Sequence, residues 1–335
     1  MIASHSKPSR LVSPGRHRGF SMTELLVVIG IIAVLAGILL VAMRGVRETG
    51  LRTQTKSIMQ EFSKACDMFQ IEHGFYPGIV PETILAGMPL PPLSGTENAL
   101  LDLMGGAIRG DDPRYGNPEF SGPDWQEIVI DTTTLMGKIK VNVNLIGDGP
   151  VINGQPFPPY FTPGGSTLVQ AEYKPNTNRL PDLLDAWGQP IIYVRSMRST
   201  GLLVGDASAN PQFNRAAMTP YLGSCALGEF GKSQISTLCD DTVNHNPSIL
   251  NVSLDNDKTF AQIIRAPGFG EPGDPLNGTA RGAYVLISAG PDGIYFSVTD
   301  GPGSPSDPVD DIVNGDFGNP RVVKEYNDVR IFGGG

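Results

Sequence analysis

From Leu25 to Met43 the chain carries no charge and no proline, and one carboxylate, Glu24, stands at the threshold of that run. As a helix the run is ~28 Å long at ~1.5 Å per residue, about the thickness of a bilayer's hydrocarbon core. A carboxylate at the lip of such a segment is costly unless it finds a partner. The plain reading is a signal anchor whose glutamate lies at headgroup level. Residues 1–19 carry Lys7, Arg10, Arg16 and Arg18 with no acidic residue, which favours a cytoplasmic leader. The other flank offsets that bias, because Arg44, Arg47, Arg52 and Lys56 are opposed only by Glu48 and Glu61. An ordinary secretory signal fits badly, since the apolar region is overlong and no small-residue cleavage site ends it.

Behind the run the helical pattern continues. Val46, Leu51, Ile58, Met59, Phe62, Ala65, Cys66, Phe69 and Ile71 recur at mostly three- and four-residue spacings, with charged residues between them. The pattern predicts one helix from Ser21 to His73, ~80 Å long, that buries a stripe against its own globular head. Gly74 followed by Tyr76-Pro77 stops it. The expected divisions are a leader at 1–19, an apolar helix at 20–43, its soluble continuation at 44–76, and a β-rich head at 77–335.

A net charge of −9 and the lack of a basic patch outside the flanks of the apolar helix exclude nucleic acid as a main partner. The 41 glycines and 29 prolines crowd into 77–125, 146–164 and 266–320, which favours turns and surface loops. Between 78 and 180 only Ile128–Ile130 and Lys138–Val143 read as strands, so this stretch is expected to be a loop-rich insertion. Ile191–Val194 and Ala283–Ser288 are further strand candidates. Cys225 and Cys239 lie fourteen positions apart and either bridge a short loop in an oxidising compartment or remain two thiols. No catalytic constellation is visible. His5 and His17 fall in the leader, His73 closes a helix, His245 lies in a loop, and no phosphate loop or zinc-binding helix appears. The expectation is a protein that is not an enzyme.

The segment Arg18-Gly19-Phe20-Ser21-Met22-Thr23-Glu24-Leu25-Leu26 resembles the class III signal of type IV prepilins and type II secretion pseudopilins. That resemblance implies cleavage by a prepilin peptidase after Gly19, methylation of the new amino terminus at Phe20, and an assembly role for Glu24. Two departures stand out: Ser21-Met22-Thr23 replaces the more usual sequence, and the proline common about 22 residues into the mature helix is missing. Gly74-Phe75-Tyr76-Pro77 matches the helix stop of pseudopilins, and Asp185-Ala186-Trp187-Gly188-Gln189-Pro190 resembles a turn of the major, G-type subunit.

The resemblance implies an α+β, pilin-like fold: a long N-terminal helix on a small antiparallel sheet, here with loop-rich insertions. It also implies a calcium ion in the acidic loop, held by the carboxylates of Asp292 and Asp311 with Ser288 nearby as a further candidate and Asp310 or Asp300 as alternates. The bland alternative there is a solvated acidic turn. The implied function is a structural subunit of a pilus-like filament, most like a G-type pseudopilin of a type II secretion system, with a type IV pilin or minor pseudopilin as alternative. The implied partners are other copies of the chain, the peptidase and inner-membrane assembly proteins, with the head in the periplasm. A contrasting class is a membrane-tethered periplasmic domain that binds or hydrolyses something and never polymerises.

Overall fold

The computed structural model describes residues 21–87, 92–165, 167–170, 180–205, 209–214, 256–266, 276–293, 295 and 328–334; the side chains of 38–44 and of Asp292 are among those outside the description. The chain divides into two compact units, residues 1–49 and 50–335. Helix α1, Met22–His73, begins and ends within a residue of its expected bounds. Gly74 takes φ +82° just past its end and donates its N–H to the Gln70 carbonyl, the geometry that makes glycine a helix stop.

In the first unit, Leu25, Leu26, Ile29, Ile32 and Leu35 are all exposed, and so are the valines and isoleucines between them. Such a helix is apolar all round, so no single neighbouring face can satisfy it. Among the described residues no helix is long and apolar enough to cross a membrane. The expected span, Leu25–Met43, includes six residues whose side chains are not described.

The second unit is built on a sheet of three antiparallel strands in the order β10-β9-β8. Here β8 is Ile192–Arg195, β9 is Tyr284–Ser288 and β10 is Val329–Gly333. Strands β8 and β9 are buried along their whole length, so alternation sorts side chains between two cores rather than between core and solvent. Tyr193, Tyr284 and Leu286 join Ile58, Met59, Phe62, Ala65, Cys66 and Phe69 of α1. Ile192, Val194, Val285 and Ile287 point the other way, onto Phe260, Ala261, Ile263 and Ile264 of helix α4, Asn256–Ile264. The expected stripe on α1 is confirmed from Ile58 to Phe69. Ile71, by contrast, is 80% exposed, because two positions beyond Phe69 is roughly 200° around a helix.

The stretch 78–180 holds more structure than its composition suggests. After the short helix α2, Glu82–Leu85, helix α3 runs from Gly95 to Met104 and joins the α1 core through Ala99, Leu100, Leu103 and Met104. It begins with a reciprocal cap: Ser94 accepts from the Glu97 N–H at 3.1 Å, and Glu97 accepts from the Ser94 N–H at 2.7 Å. Strands β1, Ala107–Arg109, β2, Gln126–Val129, and β3, Lys138–Val141, form a second antiparallel sheet in the order β1-β3-β2. β2 and β3 fall on the two expected strand segments. Two small hairpins follow, β4 (Val151–Ile152) with β5 (Gln155–Pro156), and β6 (Leu168–Gln170) with β7 (Pro181–Leu183).

The helix stop is fixed from the sheet. Arg195, at the end of β8, donates to the backbone carbonyls of Tyr76, Gly78 and Val80 and meets the Glu82 carboxylate at 3.3 Å. Thr96 of α3 ties in beside it, donating to the Ile191 carbonyl at 2.6 Å and accepting from the Tyr193 N–H at 2.9 Å.

Candidate functional site

Glu24 is the third residue of α1, and Ser21 immediately precedes the helix. The Ser21 N–H and hydroxyl both donate to Glu24 Oε2, at 2.8 and 2.9 Å, while the Glu24 N–H donates back to Ser21 Oγ at 3.2 Å. Thr23 Oγ1 lies 3.0 Å from the same Ser21 oxygen. This is the reciprocal arrangement that satisfies the orphan donors at a helix start. It explains how the segment accommodates Ser21 just before the helix: a short hydroxyl side chain and a glutamate three residues on cap the helix locally. Among the described residues Glu24 Oε1 accepts no hydrogen bond, so one carboxylate oxygen stays available. The signal for this role was in the sequence as Ser-x-x-Glu before an apolar run, and sequence reasoning assigned Glu24 only an assembly role. Gly19 and Phe20 lie outside the described residues.

The acidic turn is organised by Asp185, which the sequence reading placed only in the Trp187 turn and gave no part in the acidic loop. Ser288, fully buried at the end of β9, donates to Asp185 Oδ2 at 2.6 Å. Asp185 Oδ1 accepts from the Trp187 and Gln189 N–H groups at 2.9 Å each, and Gly188 takes φ +84° to close the turn. Burial pushes the Asp185 carboxyl up to about 6, against the pull of the hydrogen bonds from Ser288, Gln189 and Trp187. Trp187 packs against the α1 core as a turn anchor. Beyond Ser288 the chain makes a single 3-10 turn, Gly290–Asp292, ended by Gly293 at φ +74°.

Of the expected calcium ligands, only Ser288 has a described side chain, and its hydroxyl is directed to Asp185. Asp292 contributes backbone alone; Asp300, Asp310 and Asp311 lie outside the described residues, as do Cys225 and Cys239. Among the described residues no three His, Cys, Asp or Glu side chains come together as a metal site. The described residues therefore do not by themselves make a calcium site.

His73 closes α1 with its ring nitrogen Nε2 2.9 Å from the Tyr160 hydroxyl, which in turn donates to Glu72 Oε2 at 2.5 Å. Phe69 and Phe157 pack against the imidazole at ring-centroid distances of 4.5 and 4.9 Å. The histidine is thus a corner post between the helix end and the 157–160 loop.

Residues 15–40 match the prokaryotic N-terminal methylation motif. No curated protein and no solved structure matches the chain. The match covers residues 15–19, the Ser21–Glu24 box and the exposed apolar helix behind it as far as residue 40. The chain therefore carries the N-terminal signal of a type IV pilin-like protein, a signal that implies prepilin-peptidase processing, a membrane-anchored N-terminus and assembly into a filament.

Proposed function

We propose that the protein is a structural subunit of a pilus-like filament, cut between Gly19 and Phe20 and delivered to the filament from a single-pass position in the bacterial inner membrane with its head in the periplasm. The observation that carries this reading is the coincidence of the methylation motif at 15–40 with a helix whose apolar side chains are exposed on every side from Leu25 to Leu35. Burying one large aliphatic side chain is worth roughly 1.5–3 kcal/mol, so a helix of this kind is stable in lipid or in a bundle of its own copies. Passage from one to the other needs only a device that fixes register. Glu24 supplies it: in an apolar bundle its carboxylate is tolerated only beside a cation, and the amine of a neighbouring Phe20 is the nearest the assembly offers. The Ser21 hydrogen bonds hold the carboxylate at the helix start until then.

Within this class we favour a G-type pseudopilin of a type II secretion system. The support is the order of the Tyr76-Pro77 stop, the Trp187 turn and the Asp292-Gly293 turn along the chain, with a type IV pilin or minor pseudopilin as the neighbouring reading. Calcium in the loop containing Asp292, Asp310 and Asp311 belongs to the same proposal. Excess chelator should lower the melting temperature, and an unchanged one removes the ion from it. No catalytic role is proposed. Mass spectrometry of the mature protein decides the main claim: the expected N-terminus is a methylated Phe20, and a chain still beginning at Met1 in cells with an active peptidase would overturn it.

A further inference from the structure

We propose that the cavity beside β1 binds the side chain of a lysine presented by an extended polypeptide, with Asp102 as its counter-ion. The cavity measures about 520 Å³ and is open to one side. Its apolar lining comes from Phe75, Ile79, Leu101, Ile108, Val151 and Ile152, of which Phe75 and Val151 are substantially exposed. A lining of that kind suits a hydrocarbon stem better than a polar group.

The charges around it are unequally matched. Arg109 is engaged twice by Asp111, at 2.5 and 2.9 Å, and also donates to the Ile79 carbonyl at 3.1 Å. Arg114 is engaged twice by Asp112, at 3.0 and 2.7 Å. Asp102 is left over. Its Oδ2 accepts from the Gly78 N–H at 2.8 Å, and among the described residues no ion pair reaches it. Burial raises its carboxyl above the ordinary aspartate range, against the smaller opposing effects of the Gly78 hydrogen bond and the Arg195, Arg109 and His73 charges, as expected of a carboxylate short of a direct counter-charge.

Geometry selects among cations. A guanidinium binds best with its two-pronged fork on both oxygens of a carboxylate, whereas an ammonium acts as a compact point charge that needs only one. With one oxygen committed to Gly78, the ammonium fits. The form of the ligand follows from the wall that carries Ile108. Among the described residues β1 is an edge strand, paired in its sheet only with β3, and a strand edge beside a side-chain pocket is how extended peptides are bound by strand addition.

The test uses the full-length protein in detergent micelles, with the capped tripeptide Ac-Val-Lys-Val-NH2 and its norleucine counterpart as probes. Calorimetry should show saturable binding of the lysine peptide and at least about tenfold weaker binding of the norleucine peptide, the effect of losing one favourable charge contact. Amide NMR shifts should centre on Ile108 and Val151, and Asp102→Asn should abolish the preference. Equal affinity of the two peptides, binding by neither, or shifts confined to other surfaces would overturn the proposal. Because the two peptides are compared on the unaltered chain, the result stands even if Asp102→Asn fails to fold.

Discussion

Arg195 shows how much one side chain can settle. It leaves the sheet at the end of β8, reaches three backbone carbonyls of the segment 76–80 and pairs with Glu82, so the direction of the chain after α1 is set by a guanidinium rather than by the turn residues alone. Arg195→Met would strand those carbonyls and leave the Glu82 carboxylate buried without a partner. Denaturant unfolding should report a loss of about 3–5 kcal/mol. The carboxylates nearby set a pH dependence. Burial raises both Glu82 and Asp102 above their ordinary values of 4.5 and 3.8, with Arg195 pulling the other way in each case. The folded chain therefore keeps these protons at a pH where the unfolded chain has released them. Their contribution to stability is fully present below about pH 4 and is lost as pH rises through the folded values. Melting temperatures measured across that range should fall with pH at this pair of sites, and Asp102→Asn should flatten the slope.

At the scale of elements, legibility depended on contrast. The α1 stripe was readable from Ile58 to Phe69 because only one face is buried, and the Tyr76-Pro77 stop was readable because proline and glycine act locally. α3 was missed for the opposite reason. Thr96, Glu97, Asn98 and the leucines around them are all buried, so the helix shows no polar face to set off its apolar one. Its polar residues are spent on the scaffold instead, Asn98 making two 2.8 Å hydrogen bonds with the Val80 backbone. The one signal available was the Ser94-x-x-Glu97 cap. Ser94→Ala should cost about 1–2 kcal/mol, measured by thermal or denaturant unfolding, since it removes a cap and leaves a buried donor unmet. At the acidic turn, the backbone turn Gly290–Asp292 was legible from its Gly-Pro-Asp-Gly sequence, but the Asp185–Ser288 contact joins residues 103 positions apart and no local pattern announces it.

For the whole molecule, the two units meet different demands. In the first unit the side chains from Leu25 to Leu35 present apolar surface on all sides, and the described residues of the second unit close theirs into cores. Changing Glu24 to alanine should separate these demands: the melting temperature of the head should stay as it is, while incorporation into filaments, measured by shearing and immunoblotting, should fall at least about tenfold if a desolvated charge pair fixes register. Wild-type levels of incorporation would point to the tethered, non-polymerising alternative. The core of the head also has a clock in it. Ser63 and Asp67 of α1 contact Tyr284, more than two hundred residues later in the chain. Ribosomes add roughly 5–20 residues per second, so Phe62, Phe69 and their neighbours wait roughly 10–45 s for the strand that covers them. During that interval a newborn subunit offers proteases and stray chains a bare hydrophobic stripe, and its yield in the cell depends on what shields it before Tyr284 arrives.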